Sequence, residues 1–238
     1  MSRTVRDPAI AVDHLVVACR TLAQGRDWCE ATLGVSAAPG GRHALMGTHN
    51  ALLAVSSARH PKAYLELIAI DPDAAAPARP RWFDLDDASL QAALFEPRLV
   101  HWVVRSHNLE ATVAELLGEG HDPGPIVAAE RMTPRGLLRW RITLPADGRR
   151  PGDGAMPLWI EWGAEHPSDS LPASGVTIES LQVGAVVPRW VAQLADQAPT
   201  ADAPQALIAV PSSPLVVRLS SPRGTVVLSA PRPAQLSA

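Results

Sequence analysis

The chain has little cysteine, almost no lysine, one tyrosine and no long apolar run, and each shortage removes a class of protein. With only Cys19 and Cys29 among 238 residues there is no disulfide framework, and their ten-residue spacing fits neither a zinc knuckle nor a redox CxxC. No stretch approaches about 18 consecutive apolar residues, so no transmembrane helix is expected. The N-terminus MSRTVRDPAI lacks the basic-then-apolar layout of a signal peptide, and a cytoplasmic protein is expected. A net charge of -3 gives no electrostatic case for nucleic acid or an anionic membrane; of the 21 Lys and Arg residues only Lys62 is lysine. GxGxxG, Walker, CxxC and GxSxG patterns are missing, which argues against nucleotide, redox and serine-hydrolase chemistry. What remains, 47% hydrophobic and 19% charged, is the composition of a globular protein large enough to bury a substantial core.

Hydrophobic periodicity gives an order of elements that occurs twice. Residues 9–18 form a β-branched strand, Thr21 with Gln24 is a capping-box pattern opening a helix to Leu33, and Gly34 stops it. Strands follow near 42–46, 50–55 and 63–70, so residues 1–70 read as a βαβββ module. The Pro/Ala/Asp-rich residues 71–98 read as a linker or surface excursion. Residues 99–175 repeat the order: a strand at 99–105, a helix with Leu109, Val113, Leu116 and Leu117 on one stripe, then strands at 126–131, 137–144 and 158–162. Residues 176–238 carry a fainter third copy, with strands at 176–187, 206–210, 215–219 and 225–228 and a helix opening at Pro188. It is expected to cap the first two modules or to pair with a second subunit in a homodimer.

The first strand of each full module carries a histidine and the last a glutamate: His14 in AVDHLVVAC, Glu66 in AYLELIAI, His101 in RLVHWVVRS and Glu161 in PLWIEW. Alternation puts residues i and i+2 on one strand face. His14 is therefore expected beside Val12 and Val16, Glu66 beside Tyr64 and Ile68, His101 beside Val103 and Glu161 beside Trp159. An ionised carboxylate on an apolar face is costly unless paired or bound to metal. Two imidazoles and two carboxylates brought together would suit a divalent ion, Zn, Ni, Co, Mn or Fe(II), without selecting one. In the third copy Ser180 stands where His14 stands and the last strand has no carboxylate, so that copy is expected to hold no site.

At these residues, and in the phrases GTHNALL, GHDPGP and LRWRITLP, the chain resembles the vicinal oxygen chelate superfamily over residues 9–175, most of all its bacterial glyoxalase-like branch. That resemblance implies an α+β fold in which tandem βαβββ modules form a curved, cup-like mixed sheet around a metal cleft, with the third module appended. It implies that His14, Glu66, His101 and Glu161 hold the metal. Glu66 and Glu161 would then move a proton while the metal stabilises an enediolate, as in a glyoxalase-type lyase or isomerase acting on a small oxygenated metabolite. A non-catalytic small-molecule binder on the same fold is the alternative, and an extradiol-type dioxygenase a third. The binder would have Glu66 or Glu161 tied to an arginine, Arg139 and Arg141 being in reach on one strand face. Those two arginines could otherwise bind an anionic substrate group. His49 or Asn50 should face the cavity, and His49 is the substrate candidate, together with Tyr64, Trp159 and His166, the last as a residue swinging over the pocket.

Overall fold

A computed structural model describes residues 9–133, 136–184, 187–195 and 213–231. Its strands are β1 (Ile10–Ala18), β2 (Ala38–His43), β3 (Thr48–Ala54), β4 (Tyr64–Ile70), β5 (Arg98–Ser106), β6 (Ile126–Thr133), β7 (Gly136–Thr143), β8 (Leu158–Trp162), β9 (Thr177–Val183), β10 (Leu215–Ser221) and β11 (Gly224–Ser229). The helices are α1 (Leu22–Leu33), α2 (Ala88–Ala93), α3 (Leu109–Gly118) and α4 (Arg189–Leu194). The first helix begins and ends where its residues require. The Thr21 hydroxyl accepts from Gln24 N–H at 3.1 Å, the Gln24 amide oxygen accepts from Arg20 N–H at 2.8 Å, and Gly34 closes the helix at φ 78°.

Eight strands form one mixed, curved sheet in the order β2-β3-β4-β1-β5-β8-β7-β6. Each module places its first strand parallel to its last, β1 with β4 and β5 with β8, and the modules join through the antiparallel β1/β5 pair. The two-module α+β sheet is therefore the expected one. Strand β2 begins earlier than its apolar residues suggest, because the unpromising Ala38-Pro39 pairs with β3 ahead of an irregularity at Gly40-Gly41, while Met46 turns into the core. On α3 the stripe is narrower than expected: Leu109 and Leu116 are buried, whereas Leu117 is 53% exposed.

Two irregularities on the central strand pair change which side chains share a face. Pairing shifts between Val12 and His14 on β1, where Asp13 is the extra residue, and between Leu99 and His101 on β5, where Val100 is extra. Val12 consequently packs with Leu15 and Val17 on the helix side, not beside His14 and Val16 as simple alternation predicts.

The helix side of the sheet is one continuous core. It holds Leu33 of α1, Leu116 of α3, Trp102, Trp159 and the inward residues of a three-stranded sheet ordered β11-β10-β9. This small sheet is the third copy; it lies on the helix side, outside the cup, and Ile178 N–H donates to the Val55 carbonyl at 3.2 Å. The strand anticipated at 206–210 lies outside the described residues. The inner side of the sheet is a second core. Half of it is filled by the segment anticipated as a linker: Trp82, Phe83, Leu85, Leu90 and Leu94 are buried there against Val103, Ile142 and Leu158. Phe83 and Asp84 are held at φ 61° and 57°, a left-handed conformation disfavoured for both. The fully buried Arg150 secures them, donating from Nε to Asp84 at 2.7 Å and from Nη1 to the Val100 carbonyl at 3.0 Å. Among the described residues no helix is long and apolar enough to cross a membrane.

Because the third sheet shares its core with α1 and α3, Leu219→Ala is expected to lower the stability of the whole chain by about 2–5 kcal/mol. Urea unfolding followed by far-UV dichroism and by Trp fluorescence should then show both signals moving together to a lower midpoint. An early transition confined to one probe would mean that the third sheet unfolds by itself.

Candidate functional site

The unfilled half of the cup is polar. The extra residue at the β1 irregularity turns Asp13 inward together with His14, and Asp13 has no exposure to solvent. Its carboxylate accepts three hydrogen bonds: from His14 Nδ1 at 2.6 Å, from His166 Nε2 at 2.9 Å and from Trp162 Nε1 at 3.0 Å. Burial by itself would raise the Asp13 pKa, but the hydrogen bonds and charge of His14 and His166 outweigh it and hold the carboxyl far below the usual range. Since an ionised Asp13 can only accept, His14 carries its proton on Nδ1 and turns Nε2 toward Glu66, 3.6 Å from Oε2.

Glu66 is fixed from its other side. Asn50 donates through Nδ2 to Glu66 Oε1 at 2.6 Å and lies 3.2 Å from His43 Nε2, while its own oxygen accepts from Gly41 N–H at 2.8 Å. The Gly40-Gly41 pair makes this possible: a Cβ at Gly40 would stand 2.0 Å from the Asn50 oxygen, and one at Gly41 would stand 2.2 Å from Arg131 Nη1. His43 is buried, bonded through Nδ1 to Thr48 Oγ at 3.0 Å, and flanked by Trp82. Burial, with Arg131, His14 and His49 as nearby positive groups, lowers its pKa to about 3, so it is a neutral acceptor here. Tyr64 stacks on His14 with ring centroids 4.7 Å apart, and burial together with the Asp13 and Glu66 carboxylates holds its phenol protonated. The cavity enclosed by His14, Glu66, Tyr64, Asn50 and Trp162 is about 30 Å³, the scale of a water molecule. It shares Arg131, Leu52 and Pro167 with a larger cleft of about 270 Å³.

The structure brings together His14, Glu66, Tyr64 and His166 from the residues singled out in the sequence. His166 does not swing free: it also caps the 3-10 turn Pro167–Asp169, accepting from Ser168 N–H at 3.2 Å. The other candidates lie elsewhere. His101 is fully buried, with Phe83 5.4 Å away ring to ring, and its Nε2 accepts the Leu158 N–H at 3.2 Å. Burial, then Arg150 and His14, push its pKa well below the ordinary value. Glu161 is on the helix side, accepting from Leu109 N–H at the start of α3 at 2.9 Å and from Arg141 Nη2 at 2.5 Å. Arg141 is held a second time by Glu110, and Arg139 pairs with Glu130 at 3.1 Å. Glu130, Arg139, Arg141 and Glu161 line a separate depression of about 510 Å³ on strands β6–β8. Trp159 is buried in the helix-side core beside Trp190. His49 points away from the cavity toward Asp71 and Arg42, and its neighbour Asn50 takes the inward position; burial lowers the His49 pKa, with Asp71 opposing.

Register explains why the four-residue set does not converge. Two residues after His14, Val16 pairs with Glu66; two residues after His101, Val103 pairs with Leu158. The second-module counterpart of Glu66 is thus an apolar residue. Leu158, Ile160 and Trp162 face inward and Trp159 and Glu161 outward, so three residues beyond Leu158 the carboxylate is on the wrong face. Among the described residues no three His, Cys, Asp or Glu side chains group as metal ligands. The donor set expected from the resemblance does not fit a divalent ion, since His101 Nε2 and both Glu161 oxygens are already engaged by protein donors. Asp13, His43 and Arg131 were not singled out in the sequence, and Asn50 was named only as the alternative to His49.

Two buried neutral histidines make the fold acid-sensitive. Below about pH 6.5 the unfolded chain protonates His43 and His101 while the folded chain does not, so stability falls with pH until the folded values are reached. Each can contribute up to about 1.4 kcal/mol per pH unit, and above pH 6.5 the effect vanishes. In His101→Gln, which keeps an acceptor for the Leu158 N–H, the urea midpoint should decline less steeply between pH 6.5 and 4.5 than in the wild type. Parallel profiles would show that His101 is not held neutral.

Comparison with known proteins bears on the same residues. The glyoxalase-like domain family matches residues 12–198. A hypothetical protein from Staphylococcus aureus is similar in structure, with TM-score 0.49 and 16% identity over 73% of this chain and 69% of that one. Methylmalonyl-CoA epimerase from Streptomyces coelicolor, solved with 2-nitronate-propionyl-CoA, aligns with TM-score 0.40 and 17% identity over 65% of this chain and 96% of the other. The epimerase from Mycobacterium tuberculosis gives TM-score 0.37 and 19% identity over 67% and 92%. No curated protein matches the sequence. The paired βαβββ modules and a match spanning both of them lead to one assignment: the chain belongs to the glyoxalase-like domain family.

Proposed function

We propose that this protein is a glyoxalase-like lyase or isomerase that moves a proton on a small oxygenated metabolite, with Glu66 and His14 as the acid–base pair. The observation that carries this reading is the Asp13–His14···Glu66 line at the closed end of a cavity. Asp13 holds the Nδ1 proton, which leaves His14 Nε2 to take up or return a proton, and Asn50 aims the Glu66 carboxylate at the same space. Glu66 would remove the proton from a carbon beside a carbonyl and pass it to His14 Nε2, 3.6 Å away, which would return it to the oxygen or to the neighbouring carbon. Trp82, Trp140 and Trp162 around this space keep water few, which strengthens each electrostatic contact. The divalent-metal form of the reaction would need His101 and Glu161 as further ligands, and no step is assigned to a metal here.

A non-catalytic binder on the same fold is the second reading, and the Arg141–Glu161 pair supports it because one expected carboxylate is spent on a salt bridge. Incubation in D2O with a panel of 2-oxo acids, hydroxyketones and acyl thioesters, read by mass spectrometry, separates the two. The enzyme reading expects deuterium to enter one class of compound, with the rate falling at least ~100-fold in Glu66→Gln and less in Asn50→Ala. Exchange that persists undiminished in Glu66→Gln would overturn the assignment of the base. Thermal stabilisation by a panel member without any exchange would favour the binder.

A further inference from the structure

The larger cleft beside the His14–Glu66 cavity contains a guanidinium that, among the described residues, is neither hydrogen-bonded nor ion-paired, Glu66 and Tyr64 acting on it only at longer range. Arg131 projects from β6 across the open seam of the sheet and lies over Gly41 of β2, whose missing side chain leaves room for it. The other arginines of the site region are matched: Arg150 with Asp84, Arg141 with Glu110 and Glu161, and Arg139 with Glu130. Arg131 has no carboxylate within ion-pair distance and no hydrogen bond among the described residues, although it is half-buried. It lines both the cleft of about 270 Å³ and the small polar cavity holding Glu66. A half-buried cation gives up hydration, and an unmatched one is costly unless an anion arrives.

We propose that this cleft is a carboxylate subsite, in which Arg131 holds the acid group of a small carboxylic acid with an apolar body. The proposal rests on the acid–base reading above and names the class of substrate for that site. The planar fork of a guanidinium matches a carboxylate with two parallel hydrogen bonds. Leu52, Leu138, Pro39, Pro167 and Leu171 supply apolar walls for the body of the ligand. The same cleft also bears Glu165, and among the described residues one arginine sharing a cleft with a glutamate suits a monoanion better than a phosphate dianion. With its acid group on Arg131, such a molecule would extend past Leu52, which lines both spaces, toward Glu66.

Isothermal titration with hexanoate and with hexanamide, its uncharged counterpart, tests this. Wild type should bind hexanoate at least tenfold more tightly than hexanamide, with the preference shrinking as salt is raised. Arg131→Gln should abolish the preference and Arg131→Lys should restore part of it, with urea midpoints confirming that both variants fold. Gly41→Ala, which crowds the guanidinium while leaving it present, should weaken hexanoate binding too. Equal binding of acid and amide by wild type, or hexanoate binding unchanged in Arg131→Gln, would overturn the proposal. Glu66→Gln should still bind hexanoate, so a failed carboxylate subsite and a failed acid–base assignment give different results. Loss of the acid preference with deuterium exchange intact sinks only the subsite.

Discussion

A carboxylate wholly removed from water organises the polar half of this molecule. Left alone in that position, Asp13 would cost several kcal/mol and would protonate instead. Three donors from separate parts of the chain prevent this: the imidazole next to it, the indole of Trp162 at the end of β8, and His166 in the turn beyond. The interaction thus ties the first strand of one module to the last strand of the other. It also decides the tautomer of His14, the orientation of His166 as a cleft wall, and the angle at which Trp162 closes the cavity. Removing any one donor would loosen the two modules and blur the His14 imidazole together.

The remaining half of the cup depends on packing. Trp82 and Phe83 are driven into it by the same hydrophobic term that builds any core, and the Arg150–Asp84 pair holds the left-handed turn that delivers them. The consequence is an asymmetric interior on a nearly symmetric frame. The first module lines a space with ionisable groups, and the second lines its equivalent space with Leu158, Val100 and Phe83. His101 survives there as a hydrogen-bonded core residue.

Much of this was legible in the residues. The order of elements in both modules, the Thr21 and Gly34 caps, and the placement of His14 and Glu66 on inner faces follow from periodicity and end signals. Other features depend on information that spacing does not carry. Glu161 looked like a copy of Glu66 because both sit on a fourth strand, but only pairing with β5 shows that Leu158 is the true counterpart. The choice between His49 and Asn50 turned on one residue of register, and the Gly40-Gly41 room that Asn50 needs is made by a neighbouring strand. Arg131 gave no signal in the sequence because its position over Gly41 arises from closure of the sheet. Residues 71–98, rich in proline and alanine, hid their purpose in two aromatic residues.

The paired irregularities at the β1/β5 seam separate two kinds of information in a strand. Asp13 and Val100 occupy corresponding places, yet one is a charged hydrogen-bond hub and the other an apolar residue whose carbonyl receives Arg150. What the two share is being one residue too many. The frame therefore tolerates wide change in what that residue is and none in whether it is there: deleting either would rotate the neighbouring histidine out of its pocket and turn a buried strand inside out. For this chain, the length of a strand is a stricter message than its spelling.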